Sequence, residues 1–114
     1  MNDNCLFCRM SQGEIPVDKV YEDDQVFAIR DINPRAPTHI MVITREHIPS
    51  AAAVDESRAG LLSHVILTAN NVAKSQGIAE SGYRLTFNVG DDGGQTIYHL
   101  HLHLLGGREL GPEA

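Results

Sequence analysis

QTIYHLHLHLL, residues 95–105, places three of the chain's six histidines at alternate positions, His99, His101 and His103. Residues two apart on a β-strand project to the same face. Read as a strand, the segment puts the three imidazoles on one side and Leu100, Leu102 and Leu104 on the other. The leucine side needs an apolar cover. The imidazole side needs hydrogen-bond partners or a task, because buried polar rings are costly when unpaired. Three readings stay open for that row. It could be a solvated face, a catalytic metal held by all three rings, or direct chemistry in which one imidazole is the nucleophile and its neighbours tune it.

Immediately upstream, GDDGG at 90–94 contains three glycines in five positions, followed by Gln95 and Thr96. Such a stretch reads as a hairpin turn. It also lets backbone N–H groups approach an anion closely, which would set a phosphate beside the start of the histidine strand. The pattern of a P-loop is missing. Further out, YRLTFNV (83–89) and HIMVIT (39–44) read as strands, the latter apolar and β-branched enough to be central. KVYEDDQVFAIRD (19–31) reads as two strands around an acidic turn at Glu22–Asp24, with Val20, Val26, Ala28 and Ile29 as apolar positions. INPRAPT (32–38) is a loop, since two prolines in four residues break either regular pattern.

The leucine face finds its cover in one long helix, with Asp55 or Ser57 as N-cap and Gly77 just past its end. Leu61, Leu62, Val65, Ile66, Ala69, Val72 and Ala73 recur there at helical spacing. His64, on the side of Thr68 and Asn71, reads as a solvated surface residue. CLFCRMSQ (5–12) reads as a short helix ended near Gly13 and Pro16. The order predicts an α+β fold: a five-stranded, mostly antiparallel sheet with one long and one short helix.

Residues 1–114 fit a single domain, and 42% hydrophobic residues suffice for a packed core. A formal net charge of −6 argues against general nucleic-acid binding, which needs a basic face. No apolar run has membrane-spanning length, and MNDNCLFCRM lacks a signal-peptide pattern, so a soluble cytoplasmic protein is expected. In that compartment a structural disulfide between the only two cysteines, Cys5 and Cys8, is not expected. At C-x-x-C spacing they are a weak sign of zinc on their own.

HLHLHLL has the form His-x-His-x-His-x-x with apolar x, the signature of the histidine triad (HIT) superfamily. GGQTIYHLHLHLLGGR, DINPRAPTHIMVI and GYRLTFN together resemble its Hint branch, the purine nucleoside phosphoramidate hydrolases. The resemblance runs from Phe7 to Pro112. It implies that His101 attacks the α-phosphorus of a nucleoside monophosphate derivative and that water then cleaves the nucleotidyl-imidazole. His103 and His39 would belong to the proton network. Backbone amides near Gly94, Gln95 and Thr96, the Thr96 hydroxyl and Asn88 would hold the phosphate. Many relatives carry Ser where Thr96 stands. Asp31 would accept from the ribose hydroxyls, and Phe7, Ile32 and Met41 would wall the purine of an AMP or GMP derivative. From the residues alone, Phe7 and Met41 read equally well as core and Asp31 as a turn residue.

Some members of the superfamily bind a structural zinc through positions matching Cys5, Cys8, His47 and His99. The resemblance also implies a homodimer joining two sheets, and no catalytic cofactor. A dinucleoside polyphosphate hydrolase is a rival, which GGQ and LLGGR oppose. A nucleotide-binding sensor or scaffold with little turnover is another, since binding and catalysis would use the same residues.

Overall fold

The computed structural model describes residues 4–112. Its elements are α1 (Leu6–Ser11), β1 (Lys19–Glu22), β2 (Val26–Arg30), β3 (Thr38–Thr44), α2 (Ala59–Ser75), β4 (Tyr83–Thr86) and β5 (His101–Gly106), with two short 3-10 turns before α2. The strands form one antiparallel sheet in the order β1-β2-β3-β5-β4. The α+β class, the five strands and the helix pair expected from the sequence are all present. β3 is central and buried except for Met41, as its β-branched composition predicts.

Register divides the sheet into two faces. On one, Ala28, Val42 and Leu102 lie in a row, as do Ile40, Leu104 and Leu85. These residues pack against Val65, Ala69, Val72 and Ala73 of α2, which is the cover the leucines require. Leu102 and Leu104 are fully buried, each burial contributing roughly 1.5–3 kcal/mol. On the other face, Phe27, Ile43 and His101 form one row and Ile29, Met41, His103 and Thr86 the next. α1 covers part of this face by inserting Phe7 and Cys8. Thus the alternation that buries the leucines delivers His101 and His103 to the opposite side.

Several local expectations change. The last strand begins at His101 rather than Ile97. The Leu100 N–H donates to Ile48 O at 2.7 Å, so His99 sits on the approach to the strand. β4 stops at Thr86 rather than Val89, because the chain turns away into the glycine-rich segment. A register shift between Lys19 and Tyr21 leaves Val20 exposed. On α2 the apolar stripe is narrower than expected. Ile66 lies about 100° round the helix from Val65 and is exposed, whereas Thr68 is buried. Asp55 caps the 3-10 turn, accepting from the Ser57 N–H at 3.0 Å, and α2 starts only at Ala59. Gly77 follows α2 at φ +77°, the left-handed position expected of it.

His64 is not simply solvated. It is half-buried, with Nε2 2.7 Å from Asp23 Oδ2, and ties α2 to the β1–β2 turn. Asp23 also accepts from the Gln25 and Val26 N–H groups, so one carboxylate shapes the turn and meets the helix.

Candidate active site

The triad's proton positions follow from partners that can act in only one sense. His101 Nδ1 lies 2.7 Å from the His99 carbonyl oxygen. A carbonyl only accepts, so Nδ1 carries the proton and the Nε2 lone pair is available for attack. His39 Nδ1 accepts from the Arg35 backbone N–H at 3.1 Å, which places the neutral ring's proton on Nε2. That Nε2 is 3.0 Å from His103 Nδ1 and 3.4 Å from Asp31 Oδ2. His39 thus donates to His103, which leaves the His103 proton on its outer nitrogen, Nε2. The result is a relay from the Arg35 amide through His39 to His103, beside a His101 ring whose Nε2 lone pair is left available.

Burial keeps these rings neutral. It is the largest influence on His39, His101 and His103, and lowers all three. His103 is held at about 4, with further lowering by the neighbouring imidazoles and Arg35 against the pull of Asp31. At His101 the bond to the His99 carbonyl and the charge of Asp31 oppose burial. The rings also touch: His101 and His103 meet edge-on at 4.9 Å, and Phe7 meets His101 edge-on at 5.1 Å.

The other candidate residues surround this centre unevenly. Asp31 accepts from the Asn33 N–H at 2.9 Å through Oδ1 and faces His39 through Oδ2, so it is both a turn residue and a charge at the site. Met41 sits beside His103 and is half-buried. Phe7 is 1% exposed and Ile32 91% exposed. Asn88 donates to Gly93 O at 2.8 Å across the glycine turn. A side chain at Gly93 would come within 2.2 Å of Val89 O, and Gly94 has φ +80°, so both glycines are required by the backbone there. The Gln95 N–H donates to Gly90 O and is therefore engaged within the turn. Its side chain accepts from the Gly90 N–H and donates to Pro49 O and Ile97 O, tying turn to sheet. Thr96 is exposed and lines a cavity of about 310 Å³ with Cys5, Leu6 and His47.

A second cluster lies next to the first. Cys5 Sγ is 3.1 Å from His99 Nδ1, and Cys8 Sγ is 3.3 Å from His47 Nδ1 and 3.6 Å from His99 Nδ1. The two Nδ1 atoms are 3.1 Å apart. The four donor atoms all lie within 4.8 Å of one another, and the cysteines form no disulfide. His99 Nε2 is 2.6 Å from the Thr44 carbonyl, so it carries the proton and Nδ1 presents its lone pair to the sulfurs. Burial holds His99 at about 4, against the raising effect of that carbonyl. Two thiols and two imidazoles with converging lone pairs are a group able to hold a metal ion.

A family model described as the HIT domain matches residues 12–110. The chain belongs to the HIT domain family. It is 47% identical over 112 residues to the purine nucleoside phosphoramidase of Escherichia coli (strain K12), covering 98% of this chain and 94% of that one. Among solved structures, a HIT family hydrolase from Clostridium thermocellum superposes with a TM-score of 0.95 at 48% identity, covering 99% of this chain and 98% of that one. A histidine triad protein from Clostridium difficile gives 0.95 at 40% identity, covering 100% and 99%.

Within this HIT domain, two contributors were missed by sequence reasoning. The Arg35 amide sets the His39 tautomer, and the Thr44 carbonyl sets that of His99. Both act through the backbone, so no side-chain pattern could have announced them. The Arg35 side chain also lines a groove of about 570 Å³ along β4, together with Arg84, Asn88 and Arg108. Among the described residues, no helix is long and apolar enough to cross a membrane.

Proposed function

We propose that the protein is a purine nucleoside phosphoramidase, hydrolysing the P–N bond of purine nucleoside 5′-phosphoramidates through a nucleotidyl-histidine intermediate. The observation that carries this reading is the His101 ring, held by the His99 carbonyl with its Nε2 lone pair outward. The identity to a named phosphoramidase over nearly the whole chain supports the same substrate class.

In the first step His101 Nε2 forms a bond to the α-phosphorus as the P–N bond breaks. The leaving amine departs with a proton drawn through the imidazole network, where His103 offers its outer N–H and His39 stands behind it. The attached ring is then cationic. Its Nδ1–H donates to the His99 carbonyl, which stabilises that charge. In the second step water attacks phosphorus and passes a proton to the imidazole network, replacing the one given to the amine; the N–P bond breaks, its electron pair returns to His101 Nε2, and the nucleoside monophosphate leaves. Asn88 and Thr96 are assigned to the phosphate, Asp31 to the ribose, and Phe7, Ile32 and Met41 to the purine; the Gly94 and Gln95 N–H groups donate to Asp91 O and Gly90 O and shape the turn instead.

The Cys5, Cys8, His47 and His99 group is assigned to a structural zinc. The observed separations suit a tetrahedral shell with Zn–N near 2.0 Å and Zn–S near 2.3 Å. Zinc would supply a closed four-ligand anchor for α1. Reduced thiols fit a cytoplasmic location. β4 is an edge strand with an open hydrogen-bonding side, and a homodimer joined through such an edge is the assembly we assign.

The test is single-turnover reaction of an adenosine 5′-phosphoramidate bearing a fluorescent amine, followed by quenching and intact-protein mass spectrometry. Amine release with a transient adduct of one nucleoside monophosphate, absent in His101→Ala, is expected. Tight binding of AMP without amine release from any of several leaving groups would replace this reading with that of a nucleotide sensor.

A further inference from the structure

His99 belongs to two clusters at once. Its ring Nδ1 faces Cys5, Cys8 and His47 at 3.1–3.6 Å, and its carbonyl holds the His101 Nδ1 proton at 2.7 Å. A second link runs in parallel. Phe7 lies between Cys5 and Cys8 in the sequence and is 1% exposed. Its ring meets His99 edge-on at 5.8 Å and His101 at 5.1 Å. The two thiols therefore bracket the side chain that leans on the nucleophile, and a ligand ring shares a residue with the nucleophile's hydrogen-bond acceptor.

From this juxtaposition we infer that metal loading at Cys5, Cys8, His47 and His99 positions the nucleophile and the base wall, so that metal and nucleotide bind with positive coupling. The inference rests on the phosphoramidase reading for the location of the nucleotide. Its physical content is mechanical. With the metal bound, the His99 ring is fixed at Nδ1 by the ion and at Nε2 by the Thr44 carbonyl. The peptide that follows it is fixed by the Leu100 N–H on Ile48 O at 2.7 Å. The carbonyl between ring and peptide then has one orientation, and the His101 Nδ1–H has one acceptor. The ion also fixes α1 at both ends of the Cys5–Cys8 turn, which seats the Phe7 ring. Without the metal, Cys5, Cys8 and His47 lose their common centre and α1, only six residues long, is released from that side. Outer contacts of this kind orient metal ligands in many proteins. Here the ligand would orient a catalytic residue in return, making His99 a positioning residue through its main chain.

Coupling between two binding sites is reciprocal. Zinc affinity is measured by competition with a chromophoric chelator, without and with saturating AMP, and AMP affinity is measured separately on zinc-loaded and zinc-free protein. Zinc binding at least about 5-fold tighter in AMP, with the same factor in AMP affinity, is expected. Zinc affinity unchanged within about 2-fold while AMP binds normally overturns the coupling and leaves the phosphoramidase reading standing. Failure of AMP to bind the loaded protein overturns both. Should the zinc-free chain lose its fold, the same question is put to protein kept loaded with Co(II). A shift of the visible ligand-field bands on adding AMP supports the relay, and bands identical with and without AMP overturn it.

Discussion

Replacing His103 by Asn should flatten the acid branch of the protein's stability. His103 is held at about 4 in the folded chain, chiefly by burial, against an unfolded value near 6.5. Between those values the unfolded chain takes up the proton and the folded chain resists it. Stability is therefore full above about pH 6.5 and falls as the pH is lowered towards 4. Linkage puts the loss due to this one ring at roughly 2–3 kcal/mol between about pH 7.5 and pH 4.5. Asn Oδ1 stands where His103 Nδ1 stood and can still accept from the His39 Nε2–H, so the relay's hydrogen bond is retained while the titration is removed. Urea unfolding of wild type and His103→Asn at both pH values isolates the difference, since groups away from His103 titrate alike in the two chains and burial lowers the touching rings, His39 and His101, in both. A wild-type loss larger than the variant's by about 2–3 kcal/mol is expected. Equal losses in the two chains would mean that His103 is not held neutral by burial, and the assignment of its proton would fall with it.

Leu102→Ala, at a fully buried position on the α2-covered face of β5, should lower unfolding free energy by roughly 2–5 kcal/mol in the same assay. Gly93→Ala must displace Val89 O from the space its Cβ would fill; amine release should slow because the turn assigned to phosphate moves, while a thermal melt shows only a modest change. Asp31→Asn should raise KM for a ribonucleoside phosphoramidate more than for its 2′-deoxy analogue, and equal changes would remove Asp31 from the ribose. The turnover rate should be flat through neutrality and fall only well below about pH 6.5, where the buried imidazoles charge, because burial lowers His101 from its ordinary value; an acid limb centred at about pH 6.5 or above would refute this.

The alternation in residues 99–105 made the fold legible, since it specified at once which face a helix covers and which carries the chemistry. His101 and His103 are where that period places them. His99 is the instructive exception. Its period matches a strand, yet its backbone is tied to Ile48 through Leu100 and to the His101 ring through its own carbonyl, so it leaves the ladder. Side-chain periodicity contains no information about such main-chain bonds. His64 was misread for a related reason: a helix-surface position meets Asp23 only because β1 and β2 bring their turn under α2. The Cys5–Cys8 pair was legible as half a ligand set, but its convergence with His47 and His99 is a product of the tertiary fold.

Cys5 and His99 lie 94 positions apart in the chain. During synthesis the helix α1 emerges long before its partner. The strands β1 to β3 and the long helix α2 are complete long before the histidine segment leaves the ribosome. Contacts this distant in sequence carry the largest closure entropy and form slowly. His101 and the cluster beside it are therefore assembled only after the last histidine segment is available, and a chain cut short between residues 87 and 98 contains the segments of four of the five strands but no triad.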